Sequence, residues 1–398
     1  MPGFELFGDL ERASVKEVLD TGVLMRYGFD GMRKDRWKAL ELEQKLAARM
    51  QTQYAHLTSS GTSALTVALA CMGIGAGDEV IMPTFTFVAS FESILAVGAV
   101  PVLVDIDETL TLNPEAVRNA ITDKTKAIMP VHMCGSMADL DALKAICEEK
   151  NLLLLEDACQ AIGGTYKGQP LGSVGDAGCF SFDYVKTITC GEGGGLITNS
   201  KDIYERAHMY SDHGHDHIGK DRGAEAHPFL GYNFRISELN AAVGLAQLTR
   251  LDDFLAIQEK HYRILRSALE GIEGLSFRKV PDGGVENYSF LNFFMASEAQ
   301  AKKVHAALSA AGIDACFYWY DNNWHYYRKW QHLLQEQSLF KLPGEVRLRM
   351  KENSENNFSL SDHWIGRNIS CLVKIGWDAE AVQQRAELMR STIQAAIQ

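Results

Sequence analysis

Between residues 54 and 156, short apolar runs alternate with stretches of helical length, and this alternation constrains the fold more than anything else in the 398-residue chain. Runs at 54–58, 80–83, 100–106, 127–132 and 152–156 read as strands. The segments between them, 63–72, 87–97, 114–121 and 140–150, read as helices. Strands joined by helices pair in parallel, because a parallel connection must cross over the sheet. The run Leu152–Leu155 is apolar at every position, as a strand covered on both faces requires. The expectation is an α/β chain built on a mostly parallel sheet with helices on both sides.

The flanks extend this frame. Helices are expected at 9–22 and 37–50, ahead of the alternation. Apolar runs at 178–182 and 195–198 form a hairpin-like pair around a glycine-rich loop. A helix to about residue 209 leads into a histidine-rich loop at 211–228, then a helix at 237–248. A long amphipathic helix at 251–269 links to a smaller α/β unit. That unit has strands at 275–280, 290–295 and 315–320 and helices at 298–311 and 379–397. Residues 331–362 read as an irregular hydrophilic surface excursion. The division expected is a large domain over 1–255 and a small one over 256–398.

Bulk properties exclude several function classes. The net charge of −12 and the lack of a basic block argue against a nucleic-acid surface. No apolar run reaches the roughly 18 residues of a membrane span. The first residues lack the basic and apolar parts of a secretory signal, so a cytoplasmic protein is expected. The eight cysteines include no CxxC pair and read as reduced and buried. His213, His215 and His217 alternate in an Asp- and Gly-rich loop, yet no helix or strand orders them, and no metal site is expected. The nicotinamide, P-loop and serine-hydrolase glycine motifs are all absent.

The chemistry is expected around residues 180–195, FSFDYVKTITCGEGGG. Lys186 sits at the edge of a loop carrying Gly191, Gly193, Gly194 and Gly195, where backbone can approach a ligand closely. A lysine so placed can act as an amine nucleophile, although a solvated turn is the ordinary fate of a lysine. Ser60-Gly61-Thr62 opens a helix, which offers free N–H groups to an anion or merely a cap. Asp157, after the apolar strand, is suited to keep a heteroaromatic nitrogen protonated or to cap the next segment. Ser181 lies on the lysine loop, and Phe87 is able to cover an aromatic ring. Each feature alone favours its structural reading; together they change the odds.

Taken together the stretches SSGTSAL (59–65), EVIMPTFTFVAS (79–90), PVLVDID (101–107), PVHMCG (130–135), EDACQAIG (156–163), FSFDYVKTITCGEGG (180–194) and GYNFRISELNAAVGLAQL (231–248) resemble the DegT-type sugar aminotransferases. The resemblance implies the type I, aspartate-aminotransferase-like fold of pyridoxal-phosphate (PLP) enzymes, with a seven-stranded sheet and a smaller C-terminal α/β domain. It implies that Lys186 holds the cofactor aldehyde as an imine and that Asp157 pairs with the pyridine nitrogen. It places Gln160 near the ring hydroxyl, Phe87 on the ring, and Gly61, Thr62 and Ser181 at the phosphate. Asn233 is then expected to reach the phosphate of a neighbouring subunit, which implies a homodimer.

The segments CFYWYDNNWHYYRKW (316–330), SDHGHDH (211–217) and VKTITCGEGG (185–194) look like the subgroup that makes 8-amino-3,8-dideoxy-octulosonate for lipopolysaccharide. The implied reaction moves an amino group from glutamate to the aldehyde of a free eight-carbon sugar acid. Candidates for its carboxylate are His215, Lys220, Arg222 and Arg235; candidates for its hydroxyls are Trp319, Asn323 and His325. The alternatives are an aminotransferase for a nucleotide-linked ketohexose, or a PLP-binding regulator without catalysis.

Overall fold

The computed structural model describes residues 3–219 and 221–398. Lys220, a carboxylate candidate, lies outside the described residues. Seven strands form the main sheet in the order Tyr54–Thr58, Gly194–Thr198, Ala177–Ser181, Leu153–Asp157, Thr125–Ile128, Glu79–Pro83, Val100–Val104. Gly194–Thr198 runs antiparallel to both neighbours, and the four strands beyond Ala177–Ser181 pair in parallel. The expected type I fold is therefore what the chain adopts. Leu153–Asp157, Glu79–Pro83 and Val100–Val104 are buried almost throughout, as strands covered on both faces are, which explains their largely apolar runs.

Helices Gly61–Cys71, Ala89–Ala96, Pro114–Ala120 and Leu140–Lys150 cross over between strands. A smaller sheet, in the order Ser276–Phe277, Phe290–Phe294, Asn368–Leu372, Cys316–Phe317, carries Glu298–Ala310 and Ala379–Ile397 in a shared core. Leu251–Leu269 spans the expected division at 255/256 as one helix. Its start, Leu251 and Phe254, packs with the large unit, and Leu265 and Leu269 pack with the small one.

Three expectations need correction. Residues 331–362 are not irregular: Gly344–Glu355 and Ser359–Arg367 are helices, and Val346, Met350 and Phe358 are buried in the core of the large sheet. The segment reads as hydrophilic because only one narrow side of each helix is buried. The central small-sheet strand, Asn368–Leu372, was not anticipated, since Asn and Ser break its apolar run; both pair inside the core, Ser370 with Asn292 and Asn368 with the Phe293 carbonyl. The cysteines are not all reduced. Cys316 and Cys371 face each other across adjacent strands and are joined by a disulfide; the other six are free. Cross-strand adjacency of two distant segments cannot be read from spacing.

Candidate active site

Three parallel strands and the first strand of the sheet all end along one edge, and their exits build a single pocket. Its lining includes Gly61, Thr62, Phe87, Asp157, Gln160, Ser181 and Lys186. These are seven of the eight residues expected at a cofactor. Asn233, the eighth, is exposed, lies outside the lining, and accepts a hydrogen bond from the Arg235 backbone (3.4 Å).

The pocket's anion end is the start of helix Gly61–Cys71. Ser60 caps the helix by accepting from the Ser63 N–H (3.0 Å). The Gly61 and Thr62 N–H groups have no acceptor among the described residues, so two oriented donors remain free beside the Ser181 hydroxyl. A side chain at Gly61 would strike Ser181 Cβ at 2.7 Å. Gly194 and Gly195, expected in the loop, instead begin strand Gly194–Thr198, and a side chain at Gly194 would collide with the Ser60 carbonyl, so strand and helix start approach backbone to backbone here.

The same pocket holds a carboxylate. Strand alternation sends Glu156 and Asp157 to opposite sides. Glu156 turns inward and accepts from Gly172, Val174 and Gly175 N–H groups, a loop-organising role. Asp157 turns to the pocket at 4% exposure. Its Oδ2 accepts from Ser90 Oγ (2.7 Å) and its Oδ1 from the Cys159 N–H (3.1 Å). Among the described residues no lysine, arginine or histidine pairs with it. Ser90 is itself held by Thr86 Oγ1 (2.6 Å). The sequence reading singled out Phe87 in this stretch and missed Ser90. Nothing in the sequence marked Ser90: Thr86 precedes helix Ala89–Ala96, so their pairing shows only once the turn between them is placed.

Gln160 is locked by its Oε1, which accepts from the Cys134 N–H (3.0 Å). Its amide nitrogen is left as a donor on the pocket side. Val131 and Met133 add apolar wall, and Asp183 and Glu192 also line the pocket.

The substrate candidates divide. Segment 319–330 docks on the pocket edge by backbone bonds from Thr86 N–H to the His325 carbonyl (3.0 Å) and from Val88 N–H to the Trp324 carbonyl (2.8 Å). His325 tilts against Phe87 at 5.3 Å between ring centres, and Trp324 stacks beside Phe87 at 5.8 Å. Asn322 Oδ1 accepts from the Trp324 N–H (2.9 Å), which fixes that atom as oxygen. It lies 2.9 Å from His325 Nδ1, which must therefore carry the proton. His325 Nε2 keeps a bare lone pair, and burial, with the nearby Lys186 charge, pushes the ring's pKa down to about 3.

Trp319 is a correction. It is buried in the core, and its indole N–H donates to Ser370 Oγ (2.6 Å), so it supports His325 from behind rather than meeting a ligand. Asn323 is exposed and absent from the pocket lining. Arg222 and Arg235 both grip the buried Asp212, Arg222 through two bonds of 2.8 and 3.1 Å, and His215 pairs with Glu225 at 2.9 Å. The two arginines already have an anionic partner within the chain, and His215 lies against a carboxylate, which spacing alone did not reveal. No three or more His, Cys, Asp or Glu among the described residues are grouped to hold a metal ion. No helix among them is long and apolar enough to cross a membrane.

Comparison with known proteins follows the same lines. The model of the DegT/DnrJ/EryC1/StrS aminotransferase family matches residues 9–342. The chain is 42% identical over 222 residues to a GDP-perosamine synthase of Caulobacter vibrioides, spanning 56% of this chain and 59% of that protein. It is 37% identical over 286 residues to a 3-amino-5-hydroxybenzoate synthase of Amycolatopsis mediterranei, spanning 71% and 70%. An aminotransferase structure from Psychrobacter cryohalolentis superposes with a TM-score of 0.86 at 26% identity, covering 98% of both chains. A sugar aminotransferase of Streptococcus pneumoniae, solved in its PLP form, shares the fold with a TM-score of 0.79 at 23% identity.

Proposed function

Because the chain belongs to the DegT/DnrJ/EryC1/StrS aminotransferase family, we propose that it is a PLP-dependent aminotransferase that places an amino group on the carbonyl carbon of a sugar. The observation that carries this reading is Asp157, a buried carboxylate with no cation partner among the described residues, in the pocket that contains Lys186. Such a charge is costly to bury unless a positive partner arrives. A protonated pyridine nitrogen is that partner, and the free Gly61 and Thr62 N–H groups with Ser181 suit the phosphate at the far end of the same molecule.

When bound, PLP supplies an electron sink that makes a neighbouring C–H bond acidic. Every other task falls to the chain. Asp157 keeps the ring nitrogen protonated, and Ser90 and the Cys159 N–H hold both carboxylate oxygens in place. The Gln160 amide N–H₂ donates to the ring oxygen. Phe87 and Val131 keep water from the ring faces. Lys186 Nζ would carry the covalent link. Once displaced, the neutral amine would move a proton from the donor's α-carbon to the cofactor in the first half-reaction, and from the cofactor to the sugar carbon that receives the nitrogen in the second. Asn233 serves a second copy's phosphate, which makes the working unit a homodimer.

Two substrate classes fit this site. The GDP-perosamine synthase relatives favour a nucleotide-linked ketohexose. A free eight-carbon sugar acid such as the aldehyde of 3-deoxy-octulosonate is the second class; His325 Nε2 beside the ring platform offers a neutral acceptor to a hydroxyl of either sugar, so the relatives weigh toward the first. Glutamate is the proposed amino donor in both. The test is product analysis by mass spectrometry with glutamate and each sugar in turn. Amination of the nucleotide sugar alone assigns the first class, and amination of the free octulosonate alone assigns the second. No 2-oxoglutarate with either would contradict transamination.

A further inference from the structure

We propose that residues 3–6 are a strap that positions the Lys186 loop. This rests on the reading of Lys186 as the cofactor-bearing lysine, and the geometry reaches it from the other side of the loop. The loop between strands Ala177–Ser181 and Gly194–Thr198 is anchored unevenly. Its second half folds back on Phe182: the Cys190 N–H donates to the Phe182 carbonyl (2.9 Å), as does Thr189 Oγ1 (3.3 Å). Its first half has little of its own. Tyr184 and Val185 are exposed, and the turn's internal bonds all end on Asp183.

The N-terminal segment supplies what is missing. The Gly3 N–H donates to the Lys186 carbonyl (2.9 Å), the one hydrogen bond which that carbonyl accepts among the described residues. Phe4 stacks flat on Tyr184, with ring centres 4.2 Å apart and planes 4° from parallel. Gln247, wholly buried, clamps both sides: its Nε2 donates to the Gly3 carbonyl (3.3 Å) and its Oε1 accepts from the Thr189 N–H (3.3 Å).

The strap is itself fixed at its far end. Glu5 accepts from the Gly376 N–H (2.8 Å), Arg250 donates to the Leu6 carbonyl (2.7 Å), and Gln247 and Arg250 both reach the buried Glu11. A side chain at Gly3 would collide with Gln247 Oε1 and meet the Thr187 carbonyl at 2.8 Å. Position 3 is therefore glycine because the strap passes too close to the loop for anything larger. None of residues 3–6 lines the pocket, so they act on Lys186 only by holding its backbone.

The test uses Gly3→Val and Phe4→Ala, with hydrogen exchange measured by mass spectrometry on cofactor-free and loaded protein. Loss of one hydrogen bond or one ring stack should speed exchange in peptides covering 183–190 by roughly fivefold to tenfold. Exchange in strand Tyr54–Thr58 should stay unchanged. In loaded protein, the pH at which the visible absorption titrates should shift in both variants, which a merely structural contact would not cause. Unchanged exchange at 183–190, or an equal rise in Tyr54–Thr58, overturns the proposal. Should Gly3→Val fail to fold, Phe4→Ala alone decides. Faster loop exchange in a protein whose Lys186 carries no borohydride-fixable cofactor would uphold the strap and overturn the role given to the lysine.

Discussion

A carboxylate sealed from water without a cation must gain one or pay for its charge. Asp157 is in that position, and its neighbours show how it is kept ready: Ser90 on one oxygen, the Cys159 N–H on the other. Asp157→Asn should still bind PLP and should transaminate roughly 100- to 1000-fold more slowly, the scale of losing one preorganised electrostatic partner; near-normal single-turnover rates would show that the nitrogen partner is elsewhere. Ser90→Ala should cost less, about tenfold in kcat/KM, because it frees one carboxylate oxygen without removing the charge. At this scale the sequence was informative where a residue's type is its chemistry. That Lys186, Asp157 and Gly61 meet in one pocket was legible for that reason. Ser90 was not, because a serine in a helix carries no signal until its partner is known. Arg222 and Arg235 misled for the same reason: an arginine looks like a carboxylate receptor until Asp212 is found between them.

Elements, in contrast, were legible by periodicity where their buried face is broad and apolar. The Tyr54–Thr58, Leu140–Lys150 and Leu251–Leu269 boundaries match their expected spans. What failed was polar: helices Gly344–Glu355 and Ser359–Arg367 bury only a narrow stripe, and Asn368–Leu372 satisfies its polar side chains against the strand Phe290–Phe294, which no local pattern shows. The helix Lys201–Tyr210 makes a prediction of its own. It carries His208 against His217, Tyr27 and His56, with Arg26, Glu43 and Asp212 close by. Burial, then the neighbouring His217 and Arg26, push the His208 pKa down to about 3. A histidine with a depressed folded-state pKa binds its proton more readily when unfolded. Its contribution is therefore intact above about pH 6.5 and falls away as the pH drops toward 3. His208→Gln should flatten the fall in melting temperature between pH 6.5 and pH 4; an unchanged slope would place the acid sensitivity in other groups.

Across the whole molecule, the C-terminal part does more than cap the fold. Residues 319–362 leave the small sheet, cross to the large one, and bring His325 to the pocket edge. Ser361 fastens this crossing through Asp105, Thr84 and the Ile106 N–H, and Asp362 gathers Tyr326 (2.6 Å) and Arg328. Asp362→Ala should therefore loosen the sugar side without touching the cofactor side: KM for the sugar rises roughly tenfold, while PLP affinity holds. Loss of PLP affinity in that variant would mean that the two sides are not separable. The amphipathic character of the crossing was too weak to find in the sequence, since its buried stripe is narrow and its partners lie more than 200 residues earlier.

The central claim is that the chain uses Lys186 to carry PLP, and covalent trapping reads it most directly. Protein loaded with PLP is reduced with borohydride, digested and mapped by mass spectrometry. One pyridoxyl adduct is expected, on the peptide containing Lys186, with the visible absorption bleached in step and both lost in Lys186→Ala. An adduct on another lysine, or no absorption and no adduct under saturating PLP, would contradict it.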